Sequence, residues 1–218
     1  MKIGVLGTGG VGQTLAGKLV QLGHDVKMGS RQAGNENAVK WAEEAGKGAS
    51  EGSFADAAKH GELVINATAG EHSVEALEMA GADNLAGKVV MDVSNRLGPG
   101  DGPLPAVLAS DKDSVAEQIQ QTFPDARVVK TLNTINAQLM VEPSLVPSSH
   151  NIFLSGNDAD AKTEATELLK SFGWPEGYII DLGDITTARG AEMYVGFWIK
   201  LLQAFGDPTF NINVVRGD

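Results

Sequence analysis

The chain has 218 residues, 42% of them hydrophobic and 21% charged, with a formal net charge of −11. That is an ordinary globular composition for one or two domains, and its acidic balance argues against nucleic acid and anionic membranes as partners. There is no cysteine, so disulfides, thiolate nucleophiles and Cys-ligated metals are excluded. The four histidines (His24, His60, His72 and His150) are scattered without an i, i+4 pair, and no metal site is expected.

In chain order, residues 2–7 (KIGVLG) read as a buried parallel strand ending in glycine. Residues 10–22 read as a helix with Val11, Leu15, Leu19 and Leu22 on one face, closed by Gly23. A second strand is expected over 24–29 and a second helix over 35–45. Ser53 can cap a short helix to Lys59, and residues 62–66 (ELVIN) form the next strand. Residues 73–80 read as helix and 88–93 (KVVMDV) as strand. The Pro- and Gly-rich stretch 97–105 (LGPGDGPLP) reads as a loop. A helix over 113–123 and a strand over 127–131 (RVVKT) follow, then a strand over 151–155, a helix over 158–172, a short strand over 178–181 and a long helix over 184–205.

Gly7-Thr8-Gly9-Gly10-Val11-Gly12 matches G-x-G-x-x-G, placed directly after a strand and opening an amphipathic helix. Gly7 permits the tight turn, Gly9 lets backbone approach a pyrophosphate, and Gly12 lets the helix lie close to the sheet. The helix N-terminus offers free N–H groups to phosphates. Together with the repeated β-α order, this predicts an α/β fold: a Rossmann-type doubly wound, mainly parallel sheet with a long C-terminal helix.

Cofactor choice is read at the tip of the second strand. NAD sites usually place a carboxylate there for the ribose 2′-hydroxyl. Here the tip is Gly29-Ser30-Arg31, with no acid. Ser30 can donate to a 2′-phosphate and Arg31 can pair with it, with Thr8 as a further donor, so NADP(H) is the expected cofactor. The other strand ends carry Ala67 and Thr68, then Asn95, then the 132–137 segment with Asn133, Ile135, Asn136 and Ala137, a seat for the nicotinamide. For any one of these, turn formation or helix capping is the competing explanation.

No acid/base pair for alcohol chemistry emerges, and no catalytic residue is assigned. Lys200 sits among Trp198, Leu201 and Leu202 and reads as a snorkelling surface lysine. His72 follows a strand end and is the one candidate for a cleft acid. Hydride exchange between two redox cofactors would not require one, since protein then sets only distance and orientation.

The segments GVLGTGGVGQTLAGKLVQLGHDVKMGSR, NATAGEHSVEAL, KVVMDVSN, VVKTLNTINAQLM and DLGDITTARGAEMY resemble the NADP oxidoreductases dependent on the deazaflavin coenzyme F420. The resemblance covers essentially the whole chain. It implies NADPH:F420 hydride transfer by one domain over 1–218, with a small C-terminal extension closing the cleft. It also implies that Thr8, Ser30 and Arg31 hold the 2′-phosphate. Gly9, Gly10 and Val11 would serve the pyrophosphate, and Ala67, Thr68 and residues 133–137 the nicotinamide side. The best-known members of the family carry a Pro-Trp-Glu-His type of turn where this chain has Ala69-Gly70-Glu71-His72. The departure lies on the second substrate's side, so a flavin-type acceptor stands beside F420, with His72, Ile135 and Asn136 as substrate contacts. A small-carbonyl or imine reductase and a non-catalytic NADP(H) sensor are the alternatives.

Two further expectations concern the molecule as a whole. The last helix carries Tyr194, Val195, Phe197, Trp198, Leu201, Leu202 and Phe205 on more than one stripe, which points to burial in the domain or against a second subunit, hence a homodimer. No signal-peptide pattern follows Met1-Lys2, and no apolar run approaches the roughly 20 residues of a membrane span. A cytoplasmic protein acting on a small-molecule redox acceptor is expected.

Overall fold

The first strand–helix unit consists of β1 (Lys2–Leu6), buried after its first residue, and α1 (Gly10–Gln21), which packs Leu15, Ala16 and Leu19 on the sheet. A computed structural model describes residues 1–100, 102 and 104–217 of the chain. The pattern continues with β2 (Asp25–Ser30), α2 (Glu36–Ala45), β3 (Ala49–Ser53), α3 (Phe54–His60), β4 (Leu63–Asn66), α4 (Ser73–Ala80), α5 (Ala82–Leu85) and β5 (Val89–Asp92). Side-chain caps start several helices. Asn35 accepts from the amides of Asn37 and Ala38, and Ser53 with Asp56 forms a reciprocal capping box.

The second half holds a small ribbon, β6 (Leu97–Gly98) with β7 (Ala106–Val107), then α6 (Val115–Thr122), β8 (Arg127–Thr131), α7 (Ala137–Val141), β9 (Ile152–Gly156), α8 (Ala159–Ser171), β10 (Ile179–Asp181) and α9 (Ala188–Phe205). Among the described residues, one eight-stranded sheet runs in the order β10-β9-β8-β5-β4-β1-β2-β3. All neighbours pair in parallel except β8 and β9. This is the doubly wound, mainly parallel α/β fold. One face is covered by α1, α2, α7 and α8 around Leu15, Trp41, Leu139 and Trp174. The other is covered by α3, α4 and α6 around Ala57, Leu77 and Ile119.

Four departures from the sequence reading have physical causes. β3 (ASEGS) carries no apolar alternation, because an edge strand needs only β2 for its backbone bonds. Residues 97–105 are not all loop: Leu97 and Gly98 pair antiparallel with Val107 and Ala106, while Asp101 and Pro103 lie outside the described residues. The 132–137 segment leads into a further short helix, α7, and Asp184 caps a single 3-10 turn (Ile185–Thr187) before α9 begins.

The long helix is amphipathic rather than wholly buried. Ala188, Ala191, Glu192, Val195 and Ile199 face inward, while Met193, Phe197 and Phe205 are 49%, 58% and 62% exposed. The residues after it fold back on it, with Phe210 stacked on Trp198 at 5.4 Å between ring centres. No described helix is long and apolar enough to cross a membrane.

Candidate functional site

Strand register brings the site together. Leu6 pairs with Gly29 and with Asn66, Asn66 with Asp92, and Asp92 with Lys130. The turns after β1, β2, β4, β5 and β8 therefore leave one edge of the sheet side by side, as open α/β sheets require of a ligand site.

The glycine turn is shaped by two close approaches. Gly7 has φ +117°, and a Cβ there would stand 2.5 Å from the Ala67 carbonyl oxygen. A Cβ on Gly12 would stand 2.2 Å from the Gly7 carbonyl oxygen, so this glycine sets helix–strand packing and lines neither cleft cavity. Gly9 and Gly10 differ, since a Cβ on either meets nothing within 4 Å. Among the described residues no side chain caps α1, and no acid lies in its first turn. The result is an open cradle before unused N–H groups, which fits an anion such as a pyrophosphate. Gln13 Nε2 holds the turn by donating to the Thr8 carbonyl at 2.9 Å.

Two cavities meet at Gly9, Ala67, Thr68 and Ala69. The first, about 600 Å³, is lined by Gly7, Thr8, Ser30, Arg31, His72 and Glu75, among others. Arg31 is exposed there and forms no ion pair among the described residues. Its loop is pinned by Gly34 N donating to Glu51 Oε2 at 2.9 Å. Ser30 is buried, and its hydroxyl donates to the Gln32 carbonyl, so its proton is directed into its own loop. The second cavity, about 470 Å³, is lined by Gly10, Val11, Glu71, Ser94, Asn95, Ile135, Asn136 and Ala137, among others.

The structure separates residues grouped together from sequence. His72 stands in the first cavity, 3.8 Å from Glu75, and apart from Ile135 and Asn136 in the second. Asn133 is buried, and its amide donates to Asn95 Oδ1 and the Ala191 carbonyl at 3.0 and 3.1 Å, tying the β8 turn to α9. Asn136 caps α7 through Oδ1, and its amide donates to the Pro208 carbonyl. Both asparagines thus have capping or turn-forming partners, and Asn136 also lines the second cavity. Leu132, at φ +61°, holds the bend between β8 and this segment, a left-handed conformation that costs about 1–2 kcal/mol outside glycine. Gly70 has no room for a side chain: a Cβ would stand 2.5 Å from the Asn95 carbonyl carbon.

Beneath the cleft lies a charged cluster that the sequence reading missed. Lys130, fully buried, reaches Asp92 Oδ2 and Glu192 Oε1 at 2.8 Å each and donates to the Ser94 carbonyl at 2.5 Å. Glu192, from α9, also accepts from Val115 N at the start of α6 at 3.0 Å. Its signal in the sequence was one ionisable residue of opposite sign near the end of each of two apolar strands, VVMD and RVVKT. No cluster of metal-binding side chains occurs among the described residues.

The family model described as NADP oxidoreductase, coenzyme F420-dependent, matches residues 2–96. A solved structure described as "a putative F420 dependent NADP-reductase", from Arthrobacter sp. FB24, is 49% identical over 99% of this chain and 100% of its own, with a TM-score of 0.91. A hypothetical protein from Sinorhizobium meliloti, 24% identical over 100% of this chain and 96% of its own, shares the fold with a TM-score of 0.65. The rat metalloreductase STEAP3 is 29% identical over 95% of this chain, which spans only 38% of the rat protein. The eight-stranded sheet, the glycine turn and the full-length match agree: the chain belongs to the NADP oxidoreductase, coenzyme F420-dependent family.

Proposed function

We propose that this NADP-dependent oxidoreductase passes hydride between NADPH and a flat deazaflavin of the coenzyme F420 type, with a flavin as the alternative acceptor. The observation that carries the reading is the lining of the second cavity. It adjoins the glycine turn and is built from small, apolar and neutral side chains, with Glu71 as its one ionisable residue among those described. Such a cavity suits a planar ring, and exchange of hydride between two redox cofactors asks the protein only for distance and orientation. The nicotinamide of NADPH supplies the hydride when bound.

The residues divide the binding work along the cleft. Gly9, Gly10 and Val11 offer backbone to the pyrophosphate, and Arg31 with Thr8 holds the 2′-phosphate. Ser30 shapes the loop beneath that phosphate. Ala67, Ala69 and Ala137 leave room for the dinucleotide, and Ile135 backs the nicotinamide. Asn95, Asn133 and Asn136 brace these loops, and the residues after α9, anchored on Asn136, close that end of the cleft. His72 lines the first cavity with Arg31 and not the second, which weighs against it as the acid that a carbonyl or imine reductase would need.

The test is to mix protein, NADPH and oxidised F420 and follow loss of the deazaflavin absorbance. Turnover is expected. Turnover with free flavin alone would move the acceptor class, and bound NADPH without turnover of either would favour a sensor.

We further propose a cytoplasmic homodimer joined through the exposed Met193, Phe197 and Phe205 of α9. Light scattering should give twice the mass of the 22.8 kDa chain, and Phe197→Glu should give the monomer. A wild-type monomer at micromolar concentration, or recovery in a membrane fraction, would reject this.

A further inference from the structure

The buried cluster under the cleft does more than balance charge, because a chain of hydrogen bonds leads from it to the cavity wall. The ammonium of Lys130 has three protons and three acceptors: Asp92 Oδ2, Glu192 Oε1 and the Ser94 carbonyl. Asp92 Oδ1 accepts from Ser94 N at 3.2 Å and from Asn66 Nδ2 at 2.8 Å. A carboxylate gathering these donors is acceptor-only, so the amide end of Asn66 must face it. Asn66 Oδ1 is thereby turned to Thr68, 3.3 Å from its N and 2.7 Å from its Oγ1.

Thr68 lines both cavities, at their junction beside Gly9. Its hydroxyl has one proton and two inward acceptors, Asn66 Oδ1 and, at 3.0 Å, Ser73 Oγ. Asn66 and Ser73 are both fully buried. Whichever oxygen takes the proton, none is left for the cleft, and Thr68 shows the cavity only lone pairs.

We propose that Lys130, Asp92 and Asn66 are positioning residues that hold Thr68 as a hydrogen-bond acceptor toward the cleft, where it accepts from a hydroxyl of the sugar next to the nicotinamide. The proposal rests on the NADP(H) reading above. A phosphate oxygen has no proton to offer, so the partner of Thr68 is a donor. At the junction past the pyrophosphate cradle, the dinucleotide's next donors are sugar hydroxyls, with the nicotinamide carboxamide N–H a ring further out. The sugar of the adenosine half has one of its two hydroxyls phosphorylated, whereas the nicotinamide sugar keeps both.

The experiment compares dissociation constants for NADPH and for 2′,5′-ADP, which carries the adenosine half without the nicotinamide sugar. In Thr68→Val, NADPH binding should weaken about tenfold, the size of one hydrogen bond to a buried group. Binding of 2′,5′-ADP should stay within about twofold, and Thr68→Ser should recover most of the NADPH affinity. Asn66→Ala should weaken NADPH alone, with no further loss when added to Thr68→Val. Equal losses for both ligands, no loss for either, or additive losses in the double variant would overturn the proposal. Wild-type protein that binds neither ligand would overturn the cofactor reading and this proposal with it; wild-type protein that binds both, with an indifferent Thr68→Val, would overturn this proposal alone.

Discussion

Lys130→Met is expected to destabilise the fold by about 3–5 kcal/mol, the scale for stripping one partner from a buried ion pair. The methionine fits the aliphatic volume, so the loss would be electrostatic. Without the ammonium, Asp92 and Glu192 are two buried carboxylates facing the space Lys130 occupied. The backbone amides of Ser94 and Val115 and the Asn66 amide still donate to them, but none carries a full charge. Denaturant unfolding measures the effect, and a loss below about 1 kcal/mol, the range of an ordinary substitution, would contradict it. Adding Asp92→Asn and Glu192→Gln to Lys130→Met should recover part of the loss, because the unpaired charges go with them.

The same cluster has a pH signature. Burial by itself would lower the Lys130 pKa, but the attraction of Asp92 and Glu192 outweighs it, and the net shift is upward. A lysine held above its unfolded value contributes stability in full below that value, about 10.4, and loses it as pH rises through the folded value. Alkaline titration should therefore erode wild-type stability in a window that Lys130→Met lacks.

Arg31→Ala is expected to weaken NADPH binding by about 10- to 100-fold, the range of a charge-assisted hydrogen bond of about 1.5–3 kcal/mol, and to change NADH binding less than about threefold. Its guanidinium lines the first cavity without an ion pair among the described residues, so a phosphate would not have to displace a partner. Exposure and screening place the effect toward the lower end in physiological salt. Lysine should restore it only in part, since a point charge cannot match the planar fork. Calorimetric titration of both nucleotides decides it; a wild-type preference for NADPH under about threefold, less than 1 kcal/mol, unchanged by Arg31→Ala, would sink the assignment. His72→Gln belongs in the same series. A loss confined to NADPH affinity agrees with its place on the cavity that Arg31 lines, whereas lost turnover with intact affinity would return it to the acceptor side.

Much of the architecture was legible because its signals are local. Gly7, Gly9 and Gly12 announce a strand–turn–helix, and Asn35, Ser53 and Asp158 mark helix starts through bonds to residues two or three ahead. The absence of an acid at Gly29-Ser30-Arg31 is likewise readable where it stands. The order of strands and the direction of β9 were not local, and neither was β3, whose polar residues owe their strand to β2.

The glycine turn, the cofactor class and the repeated α/β order were therefore determined by sequence alone, because each depends on neighbours within a few residues. Only tertiary structure decided which turns share a cavity. It set His72 and Arg31 on the wall of one cavity, gave Asn133 and Asn136 bracing partners, and paired Asp92 with Lys130, 38 residues apart, across neighbouring strands. The reason is register: a side chain's partner in a parallel sheet is chosen by the alignment of distant strands, and periodicity along one strand reports its face but not what lies across from it.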